Sequence, residues 1–331
     1  MSSITSLLSY AVGIQDKYAK EHAKEIATSK FDIINPDDYF VLNTKLTNNF
    51  GELGITTEAN YFNNVTIVLP SNITTTDIAS IAVFGQGSEL DRLYGDVHIS
   101  TLCALLGKKY KVGGRAVPLV CAPFYENNLV PAVCCHSNMV FGNTIRLKVE
   151  LKNHKILTEY DIYADAYFPK TNVISKHLKC DDPSKILNLM TYQSQITIQT
   201  LTNGENKIRL NFNHPGYGIF FYGVDKSKIK SVKLVLNGCE YFSGPICLLE
   251  SNANINIPEN VTMLVTNTSG LFRLDGSQIN FSRIDTMTLT IDYDYIFDPE
   301  KNDTIDQITV VCFNSNYIRF QGTALGMAYS N

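Results

Sequence analysis

The stretch RLNFNHPGYGIFFYGV, residues 209–224, decides how the rest of the chain is read. Asn213 and His214 lead into Pro215, whose φ is fixed, and Gly216, which is free to turn, so a strand can end sharply there and the chain reverse. In the strand that follows, Tyr217, Phe220, Phe221 and Tyr222 are spread over alternating faces, as a sandwich core and its rim require.

Outward from this turn, short β-rich stretches bounded by Asn, Gly, Pro and Asp fill both flanks, the pattern of a sandwich. Upstream, strands are expected over 38–44, 63–70, 78–84, 117–122, 130–136, 144–152 and 157–166. Downstream they are expected over 193–201, 207–213, 217–224, 230–237, 246–250, 261–266, 271–274, 279–282, 286–293, 306–314 and 316–321. VKLVLNG (232–238) alternates as a half-buried strand does, and ITVVCF (308–313) reads as buried on both faces.

A chain of 331 residues suits two domains of about 150 to 170 residues, each with its own core. Residues 169–187 hold two prolines and alternating charge without strand period, and make the boundary. The expected organisation is an N-terminal helical arm over 1–30, a first β-domain over 31–170, a linker over 171–190 and a second β-domain over 191–331. In the arm, residues 3–27 place Ile4, Leu7, Leu8, Ala11, Ile14, Tyr18 and Ile26 on or near one helical face. Asp16, Lys17, Lys20, Glu21, Lys24 and Glu25 lie mostly opposite, and their mixed signs argue against attraction to anionic lipid. Such an arm docks on a neighbouring subunit, on a membrane surface or on its own domain.

Composition narrows function. Hydrophobic residues make up 44% and charged residues 18%, which is globular, and a net charge of −4 leaves no excess of cations for wrapping nucleic acid. No apolar run approaches the ~20 residues of a membrane span, and no signal-peptide core follows a basic start, so a soluble protein with unused sequons at Asn64, Asn72, Asn260, Asn267, Asn280 and Asn302 is expected. Cys103, Cys121, Cys134, Cys135, Cys180, Cys239, Cys247 and Cys312 form no C-x-x-C pair and read as buried, reduced thiols.

No catalytic constellation emerges. A metalloenzyme would need clustered ligands, but His22, His98, His136, His154, His177 and His214 form no H-x-H or H-x-x-x-H pair, so no metal or cofactor is expected. In CCHS (134–137), Cys135 and His136 point to opposite faces of a strand and cannot form a nucleophilic pair. The carboxylates Glu250, Glu259, Asp275, Asp285, Asp292 and Asp294 are scattered over turns and strand ends. Carbohydrate binding through the aromatic cluster at 217–222 is the non-enzymatic alternative.

Several segments, in order, resemble the major capsid proteins of nucleocytoplasmic large DNA viruses. RLNFNHPGYGIFFYGV is similar to that family's Leu-Asn-Phe-Asn-His-Pro turn, GSQINFSRID (276–285) to its Ser-Gly-x-x-Asn-Phe-Ser-Arg-Ile-Asp stretch, and NYIRFQGTALGMAYSN (316–331) to its closing strand and Gly-rich tail. LLSYAVGIQDKY (7–18), ELDRLYGD (89–96) and PLVCAPFYENNLVPAVCCHS (118–137) resemble the family more loosely. The resemblance implies an all-β chain of two tandem eight-stranded antiparallel jelly-roll sandwiches with a short N-terminal helix. It also implies a non-enzymatic subunit that trimerises into a pseudo-hexagonal capsomer and tiles an icosahedral shell. Its partners would be copies of itself, neighbouring capsomers, minor capsid proteins and an internal viral membrane, in the virion and in the host cytoplasm during assembly. Asn213, His214, Pro215, Arg283, Asp285, Gly322 and Gly326 become candidate interface or structural positions. Arg283 would pair with Asp285 or with a neighbouring chain's carboxylate, while Phe281 and Ile284 anchor inward and Gly322 and Gly326 allow close backbone approach. Family chains carry longer loops and an aromatic-His-acidic motif where this chain has CCHS, so a compact major capsid protein, a minor capsid paralogue and an assembly scaffold all fit.

Overall fold

The computed structural model describes residues 39–49, 52–54, 61–85, 87–124, 130–131, 145–169, 186–250, 257–265, 278–294, 306–321 and 324–328. The expected arm over 1–30 and most of the expected linker, 171–185, lie outside them. The chain divides into two compact units: one runs up to Gln193 and resumes at Asn316, and the other is built on Ser194–Ser315.

The first unit contains β1 (Tyr39–Asn49), β2 (Glu52–Gly54), β3 (Tyr61–Val68), β4 (Ile78–Gly85), β5 (Ser88–Leu93), helix α1 (Gly95–Leu105), β6 (Ala116–Pro118), β7 (Val130–Pro131), β8 (Ile145–Leu151), β9 (Ile156–Leu157) and β10 (Asp161–Pro169). The later elements are β11 (Ile186–Thr200), β12 (Gly204–Arg209), β13 (Pro215–Tyr222), β14 (Ile229–Leu236), β15 (Cys239–Gly244), helix α2 (Ile246–Glu250), β16 (Thr262–Val265), β17 (Ile279–Asn280), β18 (Met287–Tyr293), β19 (Gln307–Gln321) and β20 (Ala324–Met327).

All the strand pairings given by register are antiparallel. In the first unit the order is β1-β10-β3-β6 in one sheet and β2-β8-β4-β5 in the other, with the β1–β2 hairpin joining them and β7 and β9 as short additions. In the second unit it is β11-β19-β13-β16 and β12-β18-β14-β15, with β17 as an addition; β20, which pairs with the end of β19, falls in the part of the chain that belongs to the first unit. When the eight main strands of each unit are lettered B to I in chain order, both units read B-I-D-G in one sheet and C-H-E-F in the other. Two jelly rolls follow one another along the chain. Accessories repeat too: a 3₁₀ turn precedes strand E in each unit (Thr75–Asp77, Lys226–Lys228), and a helix follows strand F in each, α1 and α2.

Side-chain alternation builds the cores. In β18, Met287, Leu289, Ile291 and Tyr293 point inward and the residues between them lie half-buried on the other face. They meet Ile219, Phe221, Val310 and Cys312 from the facing sheet in one apolar cluster. In the first unit, Ile81 and Val83 of β4, Val149 of β8, Ile67 of β3 and Ile162 of β10 are all fully buried.

Several local expectations are corrected. Residues 246–250 form a helix rather than a strand: Pro245 precedes its first turn, and Ile246 and Leu249, three apart, pack on the core while Cys247 and Leu248 face out. Residues 306–314 and 316–321 belong to one strand, β19, because Asn314, Ser315 and Asn316 are buried rather than turning. The turn at 213–216 is made by His214, at φ 71°, and the strand starts at Pro215 itself. The expected strands do not include β2, β5, β15 or β20, and helix α1 lies where no helix is expected. The Asn237-Gly238 pair before β15, with φ of 48° and 77°, is the signal that could have found it. Cys103, Cys121 and Cys312 are buried free thiols as expected, but Cys247 is exposed and Cys239 half-buried.

Candidate functional site

The fold brings together two motifs that lie far apart in sequence. At the start of β13, Pro215 pairs with Asn280 and Gly216 with Ile279. The His214 backbone N–H donates to Ser282 Oγ at 3.0 Å, and the Phe281 N–H donates to the His214 carbonyl at 3.1 Å. NHPG and NFSR are thus two halves of one clamp. Asn280 caps the 3₁₀ turn Phe281–Arg283 by accepting from the Ser282 N–H at 3.1 Å. Phe281 is 1% exposed, and Ile284 packs against the core, so both anchor inward.

Gly216 is required for space rather than for turning. A Cβ built on it would stand 2.2 Å from Phe281 Cε2. The ring of Phe281 fills the volume that any other residue's side chain would need.

A polar belt runs beside the clamp. The Asn213 N–H donates to Gln195 Oε1 at 3.0 Å, and Gln195 Nε2 donates back to Asn213 Oδ1. Asn314 Nδ2 donates to the Asn213 carbonyl at 3.4 Å, and Ser315 Oγ donates to Gln278 Oε1 at 3.1 Å. In the first unit, Asn316 Nδ2 donates to Gln193 Oε1 at 2.9 Å, both residues being buried. These bonds offset much of the cost of three successive polar residues inside a buried strand, although Asn314 Oδ1 is buried without a hydrogen-bond partner among the described residues.

Of the other candidates, Arg283 is half-buried at the end of the 3₁₀ turn, with its carbonyl accepting from Asn237 Nδ2 at 3.4 Å, and Asp285 is exposed. Asn237 also accepts from the Thr286 N–H at 2.9 Å, which ties the β14–β15 turn to this segment. Gly326 lies in β20 opposite Arg319, and a Cβ there would meet nothing within 4 Å among the described residues. Gly322 lies outside the described residues.

In the first unit, ELDRLYGD holds a second knot. The buried Asp91 carboxylate accepts from the Ala122 N–H at 3.0 Å and from the Arg92 N–H at 2.9 Å. Arg92 meets Glu89 at 2.6 Å and Glu150 at 3.1 Å, and Ser80 Oγ donates to Glu150 at 2.7 Å. Hydrogen bonds from Lys148 and Ser80 hold the Glu150 carboxyl down at about 2. His98, fully buried in α1, accepts the Tyr94 N–H on Nδ1 at 3.0 Å, and burial pushes its imidazole down to about 3.

Chemically these are structural joints: donors meet acceptors, and the clamp's atoms are committed to backbone. Among the described residues no group of three or more His, Cys, Asp or Glu side chains converges as a metal site, and no helix is long and apolar enough to cross a membrane.

The strand order places the chain in the double jelly-roll class, the fold of viral major capsid proteins. Among solved structures, it is similar to VP54 of PBCV-1, as fitted into a reconstruction of the virophage Sputnik, at 15% identity, with 88% of this chain and 97% of that chain covered and a TM-score of 0.66. It is similar to the Faustovirus major capsid protein at 7% identity, covering 84% and 90%, with a TM-score of 0.53. The major capsid protein P2 of bacteriophage PM2 matches at 14% identity, covering 88% and 99%, with a TM-score of 0.51. No protein-family model matches the sequence, and no curated protein matches it.

Proposed function

We propose that the chain is a non-enzymatic capsid subunit, three copies of which form a capsomer with six jelly rolls on a pseudo-hexagonal footprint. The observation that carries this reading is the repeated B-I-D-G and C-H-E-F order: two equivalent sandwiches per chain turn a threefold assembly into six near-equivalent bodies. Such capsomers tile an icosahedral shell, with neighbouring capsomers and minor capsid proteins as partners and an internal viral membrane beneath. The virion is the final location and the host cytoplasm the place of assembly. Asn213, His214, Pro215, Arg283, Asp285, Gly322 and Gly326 serve this reading as structural or interface positions, with the exposed Asp285 the one most open to a neighbouring chain.

Light scattering on the purified chain tests the proposal. A particle of three times the 37.0 kDa chain mass supports it, and a monomer at every concentration overturns it. Copy number per particle separates a major capsid protein from a minor paralogue or a scaffold, which would be sparse in the virion or missing from it.

A further inference from the structure

Three loops of the first jelly roll are stitched into one platform. The β3–β4 connection meets the stretch between α1 and β6 through hydrogen bonds: the Leu69 N–H donates to the Arg115 carbonyl at 2.8 Å, the Thr75 N–H to the Gly114 carbonyl at 2.9 Å, the Gly113 N–H to Thr75 Oγ1 at 2.8 Å, and Arg115 Nε to the Leu69 carbonyl at 2.8 Å. The turn after β8 joins them, the Lys152 N–H donating to the Asp77 carbonyl at 2.9 Å. On this frame Lys109, Lys111, Arg115, Lys152 and Lys155 are all exposed. Among the described residues none of the five is in an ion pair, whereas Lys45, Lys207 and Lys233 each hold a carboxylate. Two carboxylates of these loops are committed, Asp77 accepting from the Thr74 N–H at 2.8 Å and Asp96 from the Tyr110 hydroxyl, and Glu159 is exposed. A chain of net charge −4 thus carries a cationic end on its first jelly roll.

We propose that this platform binds a sulfated glycan, whose sulfates meet Lys109, Lys111, Arg115, Lys152 and Lys155. GKKYKV, residues 107–112, is a short basic run of the kind that suits such polyanions. Within it Lys108 donates to Asn64 Oδ1 at 3.1 Å and Tyr110 is half-buried, so Lys109 and Lys111 are the pair left facing out. Arg115 is set in advance: with Nε held by the Leu69 carbonyl, its guanidinium is fixed as a fork that can take two oxygens of one sulfate. Because the loops are braced to one another before any ligand arrives, binding costs little ordering. Long nucleic acid would need cations well beyond this end, which a chain of net charge −4 does not supply in general. An anionic membrane would need a cluster of inserting apolar side chains, and the platform offers Val112 and Ile156, isolated on separate loops.

Titration of the full chain with a heparin oligosaccharide tests this. The parent binds, and the affinity falls as salt is raised. K109E/K111E and, separately, K152E/K155E each lower the affinity about tenfold or more, while K109R/K111R keeps it. K207E/K233E makes the same change of charge in the second jelly roll and leaves binding unchanged; an equal loss there overturns the proposal, because net charge alone would then set the affinity. Should K109E/K111E lose its β-sheet circular dichroism, K109Q/K111Q gives the same readout. A parent chain that does not bind overturns the proposal, and so does equal binding of heparin stripped of its sulfates. Tighter binding to phosphatidylserine vesicles or to double-stranded DNA than to heparin at the same salt overturns it in favour of a membrane or a nucleic acid. The titration needs no assembled capsomer, so its outcome is separate from that of the trimer.

Discussion

Gly216 and Phe281 occupy touching positions: besides the ring carbon at 2.2 Å, a glycine Cβ would find Phe281 Cδ2 at 2.6 Å, with Cys312 Sγ behind it at 3.1 Å. Gly216→Ala therefore overpacks the clamp and is expected to lower stability by about 1–3 kcal/mol. Urea unfolding measures the loss, and adding Phe281→Leu to the same chain should recover part of it. A fully stable G216A protein would show that the ring has room to move.

Asn316 and Gln193 form a buried side-chain pair, 2.9 Å apart. Asn316→Ala strands the glutamine carbonyl and is expected to destabilise the first jelly roll by about 1–3 kcal/mol. The double variant N316A/Q193A should lose less than the sum of the two single changes, a non-additivity that a double-mutant cycle reads directly.

His98 gives the first jelly roll a defined response to acid. Its folded pKa, about 3, lies below the ordinary value near 6.5, so the unfolded chain takes up the proton first. The stabilisation is complete above about pH 6.5 and declines by about 1.4 kcal/mol per pH unit on acidification toward 3. Melting at pH 6.5 and pH 5.5 should show roughly 1 kcal/mol more loss in the parent than in His98→Asn, whose side chain does not titrate in this range. Equal losses would refute the assignment.

Thiol reactivity should follow burial. Burial pushes Cys103 up to about 12 and Cys121 and Cys312 well above the usual thiol range, so none of the three offers thiolate at neutral pH. Mass-resolved alkylation of the native protein should label Cys247, exposed on α2, while these three react only in denaturant.

Much of the architecture is legible where burial is one-sided. MTLTIDY and IKSVKLVL announce their inward residues by alternation alone, and β18 and β14 follow that pattern closely. What escapes local reading depends on distant partners. Asn314, Ser315 and Asn316 look like a turn until Asn213, Gln278 and Gln193 are brought beside them, and those contacts span 37 to 123 residues of sequence. The pentapeptide ICLLE is apolar enough for a strand and too short to reveal a helical period. The sequence shows the clamp as two separate motifs, and their joining through His214 and Ser282, 68 residues apart, is a property of the sheet.

The division of the chain also orders its synthesis. The unit that begins first takes in the chain from Asn316 onward, residues that leave the ribosome only after all of Ser194–Ser315. The eight main strands of the earlier jelly roll have all been made by Pro169, but the segment that completes its unit arrives last, so a product arrested inside Ser194–Ser315 carries those strands without their closing segment.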